Sequence, residues 1–244
     1  MENYLRGRLA EEKFSSETPF RASLTISREC GCGTDRIRRN LIEYLDTIDE
    51  SAVHGWALFD QPMIGKVVEE NRLPSDNVSF DPEETKFPIS LFLAKSLQLP
   101  PDQWNLFNHT AFTIRRLCRL GNTIILGRAS NFVTSDLENT FHVRLIGSNL
   151  ARTNYTSNRY RMKWAEANQL VAKVDGARRD FVRRHADAEI DDLRSYHLVL
   201  NTDHLSDEVV VRIIGDSLIE WASDRELQLR SSFPRRVQTP APSR

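Results

Sequence analysis

The sequence predicts an α/β protein with a five-stranded parallel sheet and helices on both of its faces. Short apolar runs alternate with longer segments of helical periodicity through most of the 244 residues. The first apolar run ends in a glycine-spaced turn that leads directly into a helical pattern. Because strands that alternate with helices are joined by crossover connections, the sheet should be parallel and covered on both faces.

The elements follow from these patterns in chain order. The segments between the apolar runs are predicted to be helices. They have apolar side chains at helical spacing, or they begin with a residue that favours a helix start, such as Pro62 or the capping residue Ser206. The predicted strands are Ser23–Ser27, Trp56–Phe59, Thr123–Leu126, Phe141–Ile146 and Tyr196–Asn201. The predicted helices are Asp35–Leu45, one starting at Pro62, a short one near Ile89–Leu97, Gln103–Leu120, two basic helices near 149–163 and 165–185, and Asp207–Leu227.

Three segments lack this regular pattern. Residues 1–20 are polar and irregular, which predicts a flexible arm. Residues 231–244 are rich in Pro, Ser and Arg, which is typical of a disordered tail. Residues 72–102 hold five prolines and little periodicity, so we expect a mobile insert that covers the substrate side. The folded domain should therefore span residues 21–230.

Composition limits the classes of function. The 33 Lys and Arg residues nearly balance the 34 Asp and Glu residues, which argues against a nucleic-acid interface built from the Arg-rich helices at 149–163 and 178–184. The three cysteines do not form the pattern of a disulfide framework, which favours a reducing compartment. A metal site at Cys30 and Cys32 would need a second Cys or His pair at ligand spacing, and the sequence has none. There is no apolar run of membrane-spanning length and no signal peptide, so we expect a cytoplasmic protein.

The turn Gly31-Cys32-Gly33 predicts a phosphate-binding loop. Glycines let the backbone approach an anion closely, and the N-terminus of the following helix adds N–H groups and partial positive charge. A tight strand-to-helix turn without a ligand is the alternative. Polar groups also follow the other predicted strands, at Asp60, Gly127-Arg128, the 147–152 turn and Asn201–Asp203. Because ligands bind beyond the carboxyl ends of parallel strands, this set suits a phosphorylated ligand.

Several of these segments resemble the cytidylate kinase-like family. Residues 26–33, Ile-Ser-Arg-Glu-Cys-Gly-Cys-Gly, look like the family's ISREFGSGG opening. Further similar segments follow in the family's order between about Ser23 and Leu218: Phe59-Asp60, Leu126–Phe132, His142–Ile146, Asp175–Arg178 and Tyr196–Ser206. The resemblance implies a three-layer P-loop kinase-like fold with a helical lid over residues 149–186.

The resemblance also implies transfer of a phosphoryl group from ATP, with Mg²⁺, to CMP or dCMP. The residues implied to bind ATP are Arg28, Gly31, Cys32, Gly33, Thr34, Asp35 and Arg36. The implied catalytic set is Arg128 on the acceptor phosphate, Arg152, Arg178 and Arg183 closing from the lid, Asp175 orienting the lid arginines, and Asp60 near the acceptor. No residue is implied as a direct metal ligand, and Lys66 stands where the family carries a substrate-binding arginine.

Each of these candidates also has a structural interpretation. Arg128 could be a surface cation, Arg152 could lie on a solvated helix face, and Asp175 and Arg178 could form a weak surface pair at i,i+3 spacing. His142 is predicted to be a packed strand residue and not a ligand.

The phosphate-binding loop departs from the usual pattern at one point. Thr34 stands where P-loop kinases place the lysine that contacts the β- and γ-phosphates, and Arg36 is a candidate replacement. Asp35 puts a negative charge at the helix start, which suits the helix dipole but repels phosphate. Two hypotheses remain open: an active nucleoside monophosphate kinase, and a catalytically impaired nucleotide-binding relative that acts through protein partners.

Overall fold

A single five-stranded sheet organises the described part of the chain. The computed structural model describes residues 20–60, 62–64 and 101–232, without the side chains of 101–106 and 108. All neighbouring strands pair in parallel, in the order β2-β3-β1-β4-β5. The strands are β1 (Ser23–Arg28), β2 (Ala57–Phe59), β3 (Thr123–Leu126), β4 (Thr140–Ile146) and β5 (Leu198–Asn201).

Six helices accompany the strands in the described residues. They are α1 (Thr34–Ile48), α2 (Pro101–Leu120), α3 (Ser130–Val133), α4 (Asn149–Tyr160), α5 (Trp164–Ala186) and α6 (Asp207–Ser232). A short 3-10 helix at Leu193–Ser195 precedes β5. None of the described helices is both long enough and apolar enough to cross a membrane.

The helices form a layer on each face of the sheet. On one face, Leu24 and Ile26 of β1 pack in a buried cluster with Leu41 of α1 and Ile214 of α6. On the other face, β2 and β3 pack against α2 through residues that include Phe59, Ile114 and Ile125. Because both faces of the sheet are covered, strand residues that point to either side are buried, including the polar residues Ser23, Thr25 and Ser27 of β1. The predicted three-layer α/β fold is confirmed.

The element boundaries differ from the prediction mainly at β5 and α6. The apolar run from Tyr196 predicted an earlier strand start, but the 3-10 helix ends at Tyr196, whose hydroxyl donates to the Ile190 carbonyl (2.8 Å). The His197 N–H still donates to the His142 carbonyl, so pairing begins just before β5. Helix α6 continues to Ser232, beyond its predicted end at Leu227.

Several sequence predictions lie outside the described residues. These are the arm at 1–19, the helix near Ile89–Leu97, Lys66, the insert up to residue 100 and the tail from 233. The last two insert residues, Pro101 and Asp102, belong to α2. Pro101 suits the first position of a helix, because the N–H group that it lacks would have no intrahelical partner there.

Two helical glycines provide a matched test of the packing between α1 and α6. A Cβ on Gly215 of α6 would lie 2.6 Å from the ring of Tyr44 on α1, whereas a Cβ on Gly176 of α5 would meet nothing within 4 Å. We expect Gly215→Ala to lower the free energy of unfolding by about 1–3 kcal/mol through overpacking. Gly176→Ala should raise it by roughly 0.5–1 kcal/mol, since alanine favours the helix.

Denaturant titration of the two variants beside the parent protein measures both changes. Equal effects of the two substitutions would contradict the close approach of α1 and α6 at Gly215.

Candidate functional site

The loops after β1, β3 and β4 meet at the carboxyl edge of the sheet, and glycines allow them to approach closely. Gly31 packs against the backbone of Arg152 on α4. Gly127, after β3, packs against the guanidinium of Arg28, and a Cβ on Gly147, after β4, would lie 2.8 Å from Asp203. The polar strand ends that the sequence singled out therefore share one edge, as the parallel sheet requires.

The loop between β1 and α1 has the geometry of an anion-binding turn. Gly31 and Gly33 have positive φ angles of 89° and 67°, which glycine adopts without strain. Gly33 is the N-cap residue of α1 and supplies no side-chain hydrogen bond. The Arg36 N–H donates to the Gly33 carbonyl oxygen (3.1 Å), whereas the N–H groups of Thr34 and Asp35 precede the intrahelical bonds of α1 and can donate to phosphate oxygens.

The side chain of Cys32 packs this loop against β4. Its side chain is buried, with Sγ 3.8 Å from the Leu145 carbonyl oxygen, and burial raises the pKa of its thiol to about 11. The pKa of the Cys30 thiol is also raised, again by burial. Both thiols are therefore protonated at neutral pH, and Cys32 contributes packing and backbone N–H geometry.

Asp175 on α5 joins the lid helices to the loop. Its carboxylate accepts hydrogen bonds from the Cys30 N–H (2.8 Å) and from Nη1 of Arg152 (2.5 Å). Arg178 Nη1 lies farther away, at 3.5 Å. The side chains of Arg152 and Asp175 are only 11% and 10% exposed, so this ion pair is shielded from water.

Arg152 is committed to this structural network. Besides Asp175, its guanidinium donates to the carbonyl oxygens of Gly147 (2.9 Å) and Cys30 (3.1 Å), and it lies 3.3 Å from Glu29. Arg152 therefore ties the β4–α4 turn, the loop and α5 together. The alternative of a solvated helix face does not apply to Arg152, whereas Arg159 and Arg161 are exposed.

Three further arginines gather beside the loop. Arg178 donates to the Arg28 carbonyl oxygen at 3.0 Å. The pKa of Arg28 is lowered to about 10, mainly by burial and then by the positive charges of Arg178 and Arg128. Burial also lowers the pKa of Arg128. Positive charge from three guanidiniums therefore accumulates in a partly desolvated place.

These arginines line a cavity of about 410 Å³ between β1, β3 and α5. Arg128 extends from the β3–α3 turn with its guanidinium 5.6 Å from the ring centre of Phe181. The remaining wall includes Ser27, Asn131, and apolar side chains of α5 such as Val174 and Val182. The cavity combines a concentrated positive charge with a largely apolar wall, which suits an anionic group attached to a less polar body.

Three sequence candidates lie apart from this cavity and have other partners. Arg36 forms an ion pair with Asp207 of α6 at 2.6 Å, and its guanidinium stands over the Tyr155 ring. Arg183 pairs with Glu189 on the surface, where both side chains are 59% exposed.

Asp60, the third of these, accepts hydrogen bonds from Arg38 Nη1 (3.1 Å) and from the Met63 N–H (3.2 Å). Of these three residues, Arg36 is the nearest to the loop, because its Nη2 lies 4.0 Å from the position of a Cβ on Gly33.

Sequence reasoning did not assign a role to three residues at this edge. Asn131 lines the cavity and belongs to the quoted Leu126–Phe132 segment, so its position in that segment was the available signal. Arg144 on β4 is buried and donates to Ser27 Oγ and to Asp191. Arg38 pairs with Asp60. Nothing in the local pattern distinguishes Arg38 or Arg144 from other arginines, because their partners come from distant elements.

The Arg152–Asp175 pair should be strongly coupled. In a double-mutant cycle with Arg152→Met and Asp175→Ala, we expect a coupling energy of about 1–3 kcal/mol in the free energy of unfolding. The matched control is the exposed pair Arg183 and Glu189, changed in the same way, which should show no measurable coupling. A coupling for Arg152 and Asp175 as small as that of the control would contradict their role in holding the lid helices on the loop.

Comparison with known proteins agrees with this geometry. The model of the cytidylate kinase-like family matches residues 23–204. No curated protein matches the sequence. Among solved structures, an uncharacterized protein from Eubacterium ventriosum ATCC 27560 superposes with a TM-score of 0.61 at 17% identity, covering 84% of this chain and 99% of its own, which supports the fold.

Two kinases with lower scores are also similar. A gluconokinase from Sinorhizobium meliloti 1021 has a TM-score of 0.46 at 13% identity, covering 86% of this chain and 99% of its own. A shikimate kinase from Bacteroides thetaiotaomicron has a TM-score of 0.41 at 9% identity, covering 86% and 97%. The family match spans both the loop after β1 and the Arg128 turn, and from it we conclude that this chain belongs to the cytidylate kinase-like family.

Proposed function

We propose that the protein transfers the terminal phosphoryl group of ATP to a nucleoside monophosphate, CMP or dCMP. The observation that carries this proposal is the convergence of Arg28, Arg128 and Arg178 on one cavity beside the β1–α1 loop. Phosphoryl transfer requires positioning and neutralisation of negative charge and little covalent chemistry. A cluster of partly buried guanidiniums next to a helix N-terminus supplies both requirements.

The two phosphate groups would occupy adjacent positions. Backbone N–H groups from Gly31 to Asp35 would hold the ATP phosphates, because the glycine turn leaves them open at the start of α1. Arg128 would hold the acceptor phosphate. Arg28 and Arg178, which share the cavity wall with Arg128, would neutralise charge on the group in transfer.

In this proposal, Arg152 and Asp175 position the other groups of the site. Their hydrogen bonds are directed at each other and at the loop backbone, so they hold the loop and lid in register. Arg36 is paired with Asp207 and does not replace the missing lysine in this arrangement; Arg28 and Arg178 are the better placed cations. Arg183 has no part in it.

Magnesium fits the donor chemistry of this edge. Mg²⁺ keeps several waters and needs only one or two protein carboxylates when phosphates supply the other ligands. Asp60 at the end of β2 is a carboxylate of this kind, and it would hold a magnesium-bound water while Arg38 fixes its orientation. The ion would supply additional neutralisation of the phosphate charge.

A specific contact favours the alternative of a catalytically impaired nucleotide-binding protein. The Cys30 N–H, which could face a phosphate, is bonded to Asp175. A protein in which this contact persists would bind nucleotide without rapid transfer and act through protein partners. Turnover separates the two alternatives, since only the kinase releases ADP in the presence of an acceptor.

A coupled ADP-release assay with CMP, dCMP, UMP and AMP tests the proposal. We expect acceptor-dependent turnover that is fastest with CMP or dCMP. Binding of ATP without turnover on any of the four acceptors would contradict the kinase and favour the alternative.

Substitution of Arg128 tests the assigned acceptor site. Arg128→Met should lower kcat/KM for the acceptor on the order of 100-fold, because a preorganised charge on the phosphate is lost. ATP binding should be unchanged. The matched control is Arg183→Met, which removes a guanidinium from the exposed part of α5 and should leave both parameters within twofold. Equal kcat/KM in the two variants would contradict the placement of the acceptor at Arg128.

A further inference from the structure

The side-chain Nδ2 group of Asn131 is buried and has no hydrogen-bond partner in the part of the chain that the structure describes. The residue is only 4% exposed, and within the described residues its Nδ2 group makes no hydrogen bond. Buried polar groups are almost always hydrogen-bonded in folded proteins, because an unmet donor keeps its desolvation penalty without compensation. We therefore expect an unsatisfied buried donor at a cavity wall to have a functional role.

The backbone that presents Asn131 is itself strained. Gly127, Arg128 and Ala129 have consecutive φ angles of 80°, 63° and 55°. The left-handed region is unfavourable for Arg128 and Ala129, which carry a Cβ. Hydrogen bonds hold the turn, from the Gly127 N–H to the Ile26 carbonyl (3.0 Å) and from the Ser130 N–H to the Gly127 carbonyl (3.2 Å). Strain of this kind persists where a ligand has to be clamped.

The other cavity groups do not provide an acceptor for this amide. The nearby polar side chains are mainly arginines, which are donors only. Ser27 Oγ already accepts a hydrogen bond from Arg144 at 2.9 Å. The rest of the wall, such as Val182 and Ile190, is apolar. An oxygen brought in by a ligand would complete the site, because it satisfies Nδ2 and the arginines together.

We propose that Asn131 binds the phosphoryl acceptor directly, its Nδ2 donating a hydrogen bond to an oxygen of the acceptor beside Arg128. This inference rests on the proposed function and deepens it, because it assigns a residue that selects the acceptor. A hydrogen bond from the amide to an oxygen of the nucleoside monophosphate depends on the direction of that oxygen. It therefore adds selectivity to the electrostatic attraction of the arginines, which depends less on direction.

The test compares the buried Asn131 with the partly buried Asn139, whose amide has the opposite hydrogen-bonding environment. Asn131→Leu replaces the unmet amide with an apolar side chain that has the same number of heavy atoms. The matched control is Asn139→Leu, because Asn139 Nδ2 donates to the carbonyl oxygens of Arg21 (2.8 Å) and Cys118 (2.9 Å) and serves the fold alone. Thermal unfolding without ligand, and KM for ATP and for acceptor, are measured for both variants.

Opposite signatures are expected. Asn131→Leu should unfold at the same temperature as the parent or a higher one, with a KM for the acceptor at least tenfold higher and an unchanged KM for ATP. Asn139→Leu should lower the unfolding temperature and leave the acceptor KM within twofold. An unchanged acceptor KM for Asn131→Leu, or a loss of stability matching that of Asn139→Leu, would overturn the proposal.

Calorimetric binding separates this inference from the kinase proposal and identifies the oxygen. If the parent protein shows no turnover, the kinase proposal fails, and the affinities of parent and Asn131→Leu for CMP and for inorganic phosphate still decide the role of Asn131. Weaker binding of both ligands places the contact on a phosphate oxygen, and weaker binding of CMP alone places it on the nucleoside. Unchanged affinities, or no binding of either ligand by the parent, would overturn it.

Discussion

The hydrogen bonds of the Asp175 carboxylate hold the candidate site together. One carboxylate on a lid helix receives the loop N–H of Cys30 and the guanidinium of Arg152, and Arg152 in turn reaches the turn after β4. Asp175 therefore fixes the distance between the lid and the sheet edge. Arg178, one helical turn farther along α5, is placed against the Arg28 carbonyl by the same constraint. The Asp175 carboxylate and the Arg178 guanidinium thus give α5 two neighbouring polar contacts with the chain around the loop.

The fold could be predicted from the sequence because its signal is repeated along the chain. Each strand is an apolar run, each helix has its own periodic face, and Leu24, Leu41 and Ile214 meet in one cluster as those faces require. His142 is confirmed as a packed strand residue: Thr25 Oγ1 lies 2.8 Å from its Nδ1, and burial lowers its pKa to about 3. Some boundaries, such as the start of β5, and the short helix α3, which was not predicted, depended on contacts that the local sequence does not contain.

The site could be predicted only as a region. The glycine loop and the Arg128 turn are short local patterns, and the structure places them at one edge. The direction of an individual side chain depends on partners from distant segments, and the sequence does not pair them. Arg36 turns to Asp207, and Arg28 enters the cavity because Gly127 leaves room for its guanidinium. The sequence favoured Arg36 as the replacement cation, whereas tertiary contacts bring Arg28 and not Arg36 into the cavity.

The three cavity arginines belong to separate parts of the fold, since Arg28 ends β1, Arg128 lies in the turn after β3 and Arg178 lies on α5. Like charges on separate elements push those elements apart, and a bound dianion reverses the sign of that force. Under the proposed function, a bound phosphate would therefore relieve this repulsion and stabilise the contact of α5 with the sheet edge, so the ligand would strengthen the site that binds it.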